Sequence, residues 1–150
     1  MPGPWVVLLG RAEVEVDRAR QRLTDMFAQK AQGLENKDQL DSMMERYLDE
    51  LGASQRTPHL SSQHEFYRRF IGQIQVLQKQ MMRDLALIDH ELEQARIGYE
   101  KAELERYRMK CLVDRECAIA AAAERRHEQK RMDEQGVLSH SHALRKTRMA

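Results

Sequence analysis

Large rings and helix breakers are scarce in this chain of 150 residues. Aromatic residues make up 5% of it, and the 3 prolines stand at positions 2, 4 and 58. So few bulky rings cannot fill a wide globular core, and the scarcity of proline leaves long stretches free to form continuous helices. Hydrophobic residues still reach 41%, which is too many for a disordered chain. The composition therefore predicts an all-α, elongated protein that buries a narrow apolar seam.

An excess of charge of either sign is also missing. Lys and Arg number 25 against 24 Asp and Glu, so the sequence predicts no nucleic-acid partner. The apolar run at residues 5–9 is too short to span a bilayer. It follows Pro-Gly-Pro and lacks a small-residue cleavage site, which argues against a signal peptide. Cys111 and Cys117 lie about 9 Å apart along one predicted helix and cannot pair within it, which favours reduced thiols in the cytoplasm.

The few helix breakers divide the chain into a hairpin. Gly52 is a plausible helix stop, Pro58 prevents continuation, and Ser62 with Glu65 forms a potential capping box. Gly136 precedes a basic tail rich in Ser and His. We predict one coiled-coil domain over residues 1–150, with helix one at about 5–51, a tip loop at 52–61, helix two at about 62–135 and a flexible tail at 136–150.

Both predicted helices carry the three-four apolar spacing of a coiled coil. In an antiparallel hairpin that turns near residue 57, the numbers of facing residues should sum to about 114. Pairs such as Ala19 with Ala95 and Met26 with Ile88 meet this sum, and small residues then face small ones. A four-four step at Leu77 predicts a stutter in the second helix. The spacing does not name the partner strand, so a parallel homodimer is the alternative.

The stretch AIAAAAERRHEQKRMDEQG at residues 118–136 extends helix two beyond the end of helix one. The overhang is about 25 residues, or about 40 Å. Its Ala, Glu, Arg, Gln and Lys are strong helix formers, but they offer almost nothing to bury. The overhanging C-terminal helix is therefore either a docking element for another protein or a solvated end without a role.

No residue pattern indicates catalysis, a cofactor or a metal. His127 and Glu128 resemble half of a zinc-protease motif, but Arg131 occupies the place of the second ligand. His140 and His142 lack a third ligand nearby. The sequence therefore predicts a protein that is not an enzyme and that has no catalytic, cofactor-binding or metal-binding residues.

Two features suggest binding surfaces. In the predicted register Lys30, Gly33 and Lys37 face the apolar residues Leu85, Met81 and Leu77. This leaves a partly uncovered apolar patch unless the lysine stems cover it. An aromatic cluster flanks the tip and either locks the hairpin end or anchors a partner. Its members are Tyr47, Phe66, Tyr67 and Phe70.

Three segments carry a family resemblance over nearly the whole chain. These are PWVVLLGRAEVEVDRARQRL near the start, FYRRFIGQIQVL at the start of helix two, and ERRHEQKRMDE near the end. Together they resemble the FliJ family, small coiled-coil proteins of the bacterial flagellar type III export apparatus. Within the last segment, Glu128 to Glu134 is the most specific match.

The resemblance implies a stalk similar to the central coiled coil of rotary ATPases, located in the cytoplasm and peripherally on the cytoplasmic side of the inner membrane. Its implied partners are the hexameric export ATPase, an export-gate membrane protein and export chaperones. Carried over by position, the gate-binding residues are Leu40, Met43, Tyr47, Phe70, Ile74, Leu77 and Met81, of which Met43 and Met81 replace other residue types. The residues assigned to the ATPase ring are Arg125, Arg126, Gln129, Lys130, Met132 and Asp133.

Three alternatives remain at this point. The stalk protein of a virulence-type injectisome has the same hairpin, and the Met-Asp-Glu ending favours the flagellar branch. A membrane-surface coiled coil would need a broad apolar face with basic flanks, which only residues 5–16 approach. A generic dimeric scaffold is the third.

Overall fold

Two long helices account for the fold. The computed structural model describes residues 3–56 and 61–148. Helix α1 comprises Pro4–Gln55 and helix α2 comprises Ser61–Arg148, and the described residues contain no strand. The predicted all-α class and the two-helix antiparallel hairpin are confirmed. The Thr57-Pro58 break in the predicted tip loop lies outside the described residues.

The helices extend beyond the predicted bounds at glycine positions. Helix α1 continues through Gly52, and α2 continues through Gly136 to Arg148, where a flexible tail was expected. A glycine ends a helix by adopting a left-handed conformation, and no described glycine has a positive φ. The basic residues in the last turn of α2 also favour the helix through its dipole; they are Arg145, Lys146 and Arg148.

Contacts within the chain define two compact units. The first contains the chain up to Glu13 together with the chain from Leu104 onward, and the second contains Val14–Glu103. Each unit includes a segment of both helices. The single domain of the sequence analysis stays a prediction, and the two units are described separately below.

The helix register in the second unit differs from the expected one. Lys30 Nζ lies 2.9 Å from Asp89 Oδ1, and Gln78 Nε2 donates to Asp41 Oδ1 at 3.0 Å. Both pairs of residue numbers sum to 119, and Gly33 with Leu85 gives 118. The helices are therefore displaced by four to five residues, slightly more than one helical turn, from the predicted sum of 114. The predicted facing of equal-sized small residues is therefore wrong.

Close packing explains the observed register. Gly33 is buried, and a Cβ built on it would lie 2.9 Å from Leu85 Cδ2. The smallest residue of α1 therefore faces a large residue of α2. Interiors pack at the density of organic crystals, so layers in which small faces large fill space, whereas an Ala19–Ala95 layer would leave a gap.

The apolar seam of α2 has no stutter. Ile71 is 8% exposed and Ile74 2%, whereas Leu77 is 52% exposed. Gln78, not Leu77, is half-buried, so Ile71, Ile74 and Gln78 continue a regular three-four spacing. The predicted stutter is wrong because it followed the apolar residue types, while the helix keeps a uniform heptad and tolerates a glutamine in the seam.

The predicted uncovered patch at the middle of the seam is also revised. The ammonium group of Lys30 pairs with the carboxylate of Asp89, and Lys30 is itself half-buried. Leu85 is half-buried against Gly33. Of Leu77, Met81 and Leu85, which the predicted register places in the patch, Leu77 is 52% exposed and the other two are half-buried, so Leu77 lies beside the seam.

In the first unit, the start of α1 contributes buried apolar side chains, whereas α2 contributes none after residue 113. Ala12 is 7% exposed, and Leu8, Leu9 and Met109 are half-buried. Gly3 lies against Glu116, whose carboxylate would contact a side chain at that position. From residue 114 to 148, by contrast, every residue is exposed except Ala122, which is intermediate. This part of α2 is helical without burying an apolar face within its unit.

A disulfide-trapping experiment tests the register. In a background with Cys111→Ser and Cys117→Ser, we expect Gly33→Cys with Leu85→Cys to oxidise readily, because these positions are in contact. The matched pair Gly33→Cys with Met81→Cys, which fits the sum of 114, should cross-link much more slowly. Non-reducing gel mobility measures both. Faster cross-linking of the second pair would contradict the observed register.

Candidate functional site

One flank of the second unit collects most of the residues that the resemblance assigned to the export gate. Met43, Phe70 and Leu77 each directly precede a seam residue. In an antiparallel coiled coil, positions that precede equivalent seam positions lie on the same side of both helices. The seam residues nearest that side complete a surface that we call the tip flank. It consists of Leu40, Met43, Tyr47, Phe70, Leu77 and Met81.

Contacts between aromatic rings of α1 and α2 occur within and beside the tip flank. The ring centroids of Tyr47 and Phe70 are 4.9 Å apart, and those of Phe66 and Phe70 are 5.5 Å apart. Tyr67 joins them, with its centroid 6.3 Å from that of Tyr47. The guanidinium of Arg46 lies 5.3 Å from the Tyr47 centroid. Tilted ring pairs of this kind are stabilising, so the cluster fixes α1 against α2.

The exposed fractions of the side chains show which of the assigned residues lie at the surface and which lie in the core. Leu77 is 52% exposed, while Leu40, Met43, Tyr47, Phe70 and Met81 are half-buried. Ile74 is 2% exposed, so it belongs to the core and offers no surface to a partner in this conformation. Phe66 is 55% exposed beside Phe70, and carry-over by position had left it out. Its place in the aromatic FYRRF stretch was the available signal.

The residues assigned to the ATPase ring form a second surface, in the first unit. All six are exposed, and Met132 is 68% exposed. Three and four residues apart on one helix, they line two adjacent stripes. We call this surface the ring face; one stripe is Arg125, Gln129 and Met132, and the other is Arg126, Lys130 and Asp133. The ring face combines three cationic side chains with an amide, a thioether and a carboxylate, a mixture that suits a polar partner surface.

No described part of the chain offers a metal site. Residues 3–56 and 61–148 contain no group of three His, Cys, Asp or Glu side chains arranged for a metal ion. Both cysteines are exposed free thiols. A hydrogen bond with the Cys111 thiol raises the pKa of the Tyr107 hydroxyl, one turn away on the same helix. Within the described ranges, neither helix has a stretch long and apolar enough to cross a bilayer.

The fold and these two surfaces define a class: a helical coiled-coil protein with an exposed aromatic and apolar flank and a long exposed polar helix end. The comparison with protein families then gives the particular family. The model described as Flagellar FliJ protein matches residues 4–145, so the chain belongs to the FliJ family. It is thus a protein associated with flagellar export, in a family of structural flagellar proteins that is not known for enzymatic activity. The curated proteins compared with the chain contain no match.

Proposed function

We propose that this protein is a non-enzymatic stalk of the flagellar type III export apparatus. The ring face associates with the hexameric export ATPase, the tip flank contacts the export-gate membrane protein, and the coiled coil engages export chaperones. ATP hydrolysis takes place on the ring, and the stalk couples it to the gate without chemistry of its own. The protein is then needed for flagellum assembly, and through it for motility and chemotaxis.

The observation that carries this proposal is the exposed end of α2. A helix that buries nothing within its unit depends on intrinsic propensity, and the Ala, Glu, Arg, Gln and Lys of residues 120–131 supply it. Charged and polar side chains on every side suit a polar channel at the centre of a ring. A broad apolar stripe there would instead promote aggregation.

The tip flank supports the second contact. Its apolar and aromatic side chains are exposed or half-buried on one side of the coiled coil, and residues of this kind are frequent anchors of protein interfaces. Binding at this flank would place the protein in the cytoplasm and peripherally at the cytoplasmic side of the inner membrane. No cofactor and no nucleic acid takes part.

Co-purification tests the proposal and its nearest alternative together. We expect the purified chain to co-elute with the hexameric flagellar export ATPase on size exclusion and not with an injectisome ATPase ring at the same concentration. Sedimentation equilibrium of the chain alone should give a monomer. Preferential association with the injectisome ring would assign the protein to that branch, and a stable dimer would support the scaffold alternative.

A further inference from the structure

Helix α1 carries a second three-four stripe in the second unit, next to the seam. Six residues that directly follow consecutive seam residues repeat the spacing of the seam, and all six are exposed. Met43 and Phe70 of the tip flank precede seam residues instead, so this stripe lies on the opposite side of the coiled coil. We call it the side stripe; it consists of Arg20, Thr24, Phe27, Ala31, Leu34 and Asp38.

The centre of the side stripe is apolar and open to water. Phe27 is 56% exposed and Leu34, two turns later, is 45% exposed, with Ala31 between them. Each is rotated about 100° from the seam residue before it, so α2 leaves about half of each large side chain uncovered. On α2, Met82 is 64% exposed on the same side and lines a shallow groove between the two helices. A cluster of exposed apolar side chains of this kind marks an interaction surface.

The two ends of the side stripe carry opposite charges. Arg20 stands at one end and Asp38 at the other. The side chain of Asp38 forms no hydrogen bond or ion pair within residues 3–56 and 61–148. The contacts of the Arg20 guanidinium with Asp17 and Glu103 are 3.6 and 3.9 Å long. Since a guanidinium has several N–H donors, Arg20 can also bind a closer carboxylate.

The sizes of the central residues make the side stripe complementary to itself. When two copies of α1 lie antiparallel, with the numbers of facing residues summing to about 58, every stripe position faces a stripe position. Phe27 then faces Ala31 of the second copy, and Leu34 faces Thr24. Each large side chain meets a small one, which is the arrangement that fills space at the density of a protein interior.

The charges favour the same alignment. At both ends of the antiparallel contact, Arg20 of one copy faces Asp38 of the other, where the two can form charge-assisted hydrogen bonds. A parallel alignment would place Arg20 against Arg20 and Asp38 against Asp38, and like charges repel. The sequence of the stripe therefore selects both the partner and its direction.

We propose that the side stripe is a self-association surface, on which α1 of a second copy of this chain packs antiparallel. The apolar part of the contact extends over about three helical turns, which is less than the roughly 1,200 Å² of a stable interface requires. The dimer is therefore weak, with a dissociation constant on the order of 0.3 mM, and the chain is monomeric at micromolar concentration. This inference goes beyond the proposed function and does not depend on it, since both partners are this chain.

Sedimentation equilibrium over a range of concentrations tests the proposal. The full-length chain should be monomeric at about 10 µM and mostly dimeric at about 1 mM. Ala31→Glu places a charge where Phe27 of the second copy packs, so it should weaken the dimer by about tenfold or more. The matched control is Ala53→Glu, the same change at an exposed position of α1 outside the side stripe. It should leave the dissociation constant within about twofold of wild type.

A charge exchange tests the antiparallel alignment. Arg20→Glu and Asp38→Arg should each weaken the dimer about fivefold at low salt, because each brings like charges together at both ends. The double variant should restore it to within about twofold, since opposite charges then face each other again. Circular dichroism checks that every variant is helical.

Each outcome supports or overturns the inference. Absence of a dimer at about 1 mM would overturn it and leave the side stripe to a helix of another protein. An equal loss in the Ala53→Glu control, or no rescue in the double variant, would overturn it as well. The export ATPase and the gate take no part in these measurements, so failure here leaves the proposed function untouched.

Discussion

Truncation after Ala118 is expected to abolish association with the export ATPase while leaving the two-helix coiled coil folded. The deletion removes the ring face, and thus the proposed contact with the ring. It removes almost no packing, because residues 119–148 are exposed except for Ala122. We therefore expect the unfolding midpoint in urea to change little, since little buried surface is lost. Co-elution with the ATPase should fall to background.

A second truncation, after Glu134, is the matched control. It keeps all six residues of the ring face, so ATPase association should be retained. Circular dichroism of both truncated chains checks that the remaining helices are formed. If the chain truncated after Ala118 bound the ATPase as well as the full chain, the end of α2 would have no role in that association.

The existence and direction of the helices could be predicted from the sequence because they depend on strong local signals. Proline occurs only at residues 2, 4 and 58, and the three-four spacing persists on both sides of the break. The C-terminal limit was missed because Gly136 was interpreted as a stop. Glycine raises the free energy of a helix interior by about 1 kcal/mol relative to alanine, which is not enough to end a helix flanked by good formers.

The register could not be read from the apolar pattern alone. Two alignments, one helical turn apart, both place seam residues opposite seam residues. What selects between them is side-chain volume, with Gly33 against Leu85, and polar pairing such as Lys30 with Asp89. A comparison of facing volumes would have favoured the observed alignment.

The two candidate surfaces differ in how far the sequence alone could locate them. The ring face could be located because any residue on a helix without an in-chain partner is exposed. Which residues belong to the tip flank depends on which residues form the seam. Because Gln78 is in the seam, Leu77 lies at the surface and Ile74 lies in the core. Assignment by family position could not separate these two residues, because both are apolar and only three positions apart.

Alanine substitution at Ile74 and at Leu77 is expected to separate stability from binding. Ile74 is 2% exposed and Leu77 52%. Ile74→Ala leaves a cavity in the core and should lower the free energy of unfolding by about 2–5 kcal/mol. Leu77→Ala should change it by only about 0.5 kcal/mol, as is usual for surface positions. Urea unfolding followed by circular dichroism measures both effects.

Binding to the export-gate protein should show the opposite order. Under conditions in which both variants are folded, Leu77→Ala should weaken binding by about tenfold or more, because it removes an exposed apolar anchor of the tip flank. The matched control is Val76→Ala, since Val76 is 66% exposed but points about 100° away around the helix. It should affect neither stability nor gate binding. Equal losses of gate binding for Val76→Ala and Leu77→Ala would show that the gate does not bind this flank. Strong destabilisation by Leu77→Ala would contradict the assignment of Gln78, rather than Leu77, to the seam.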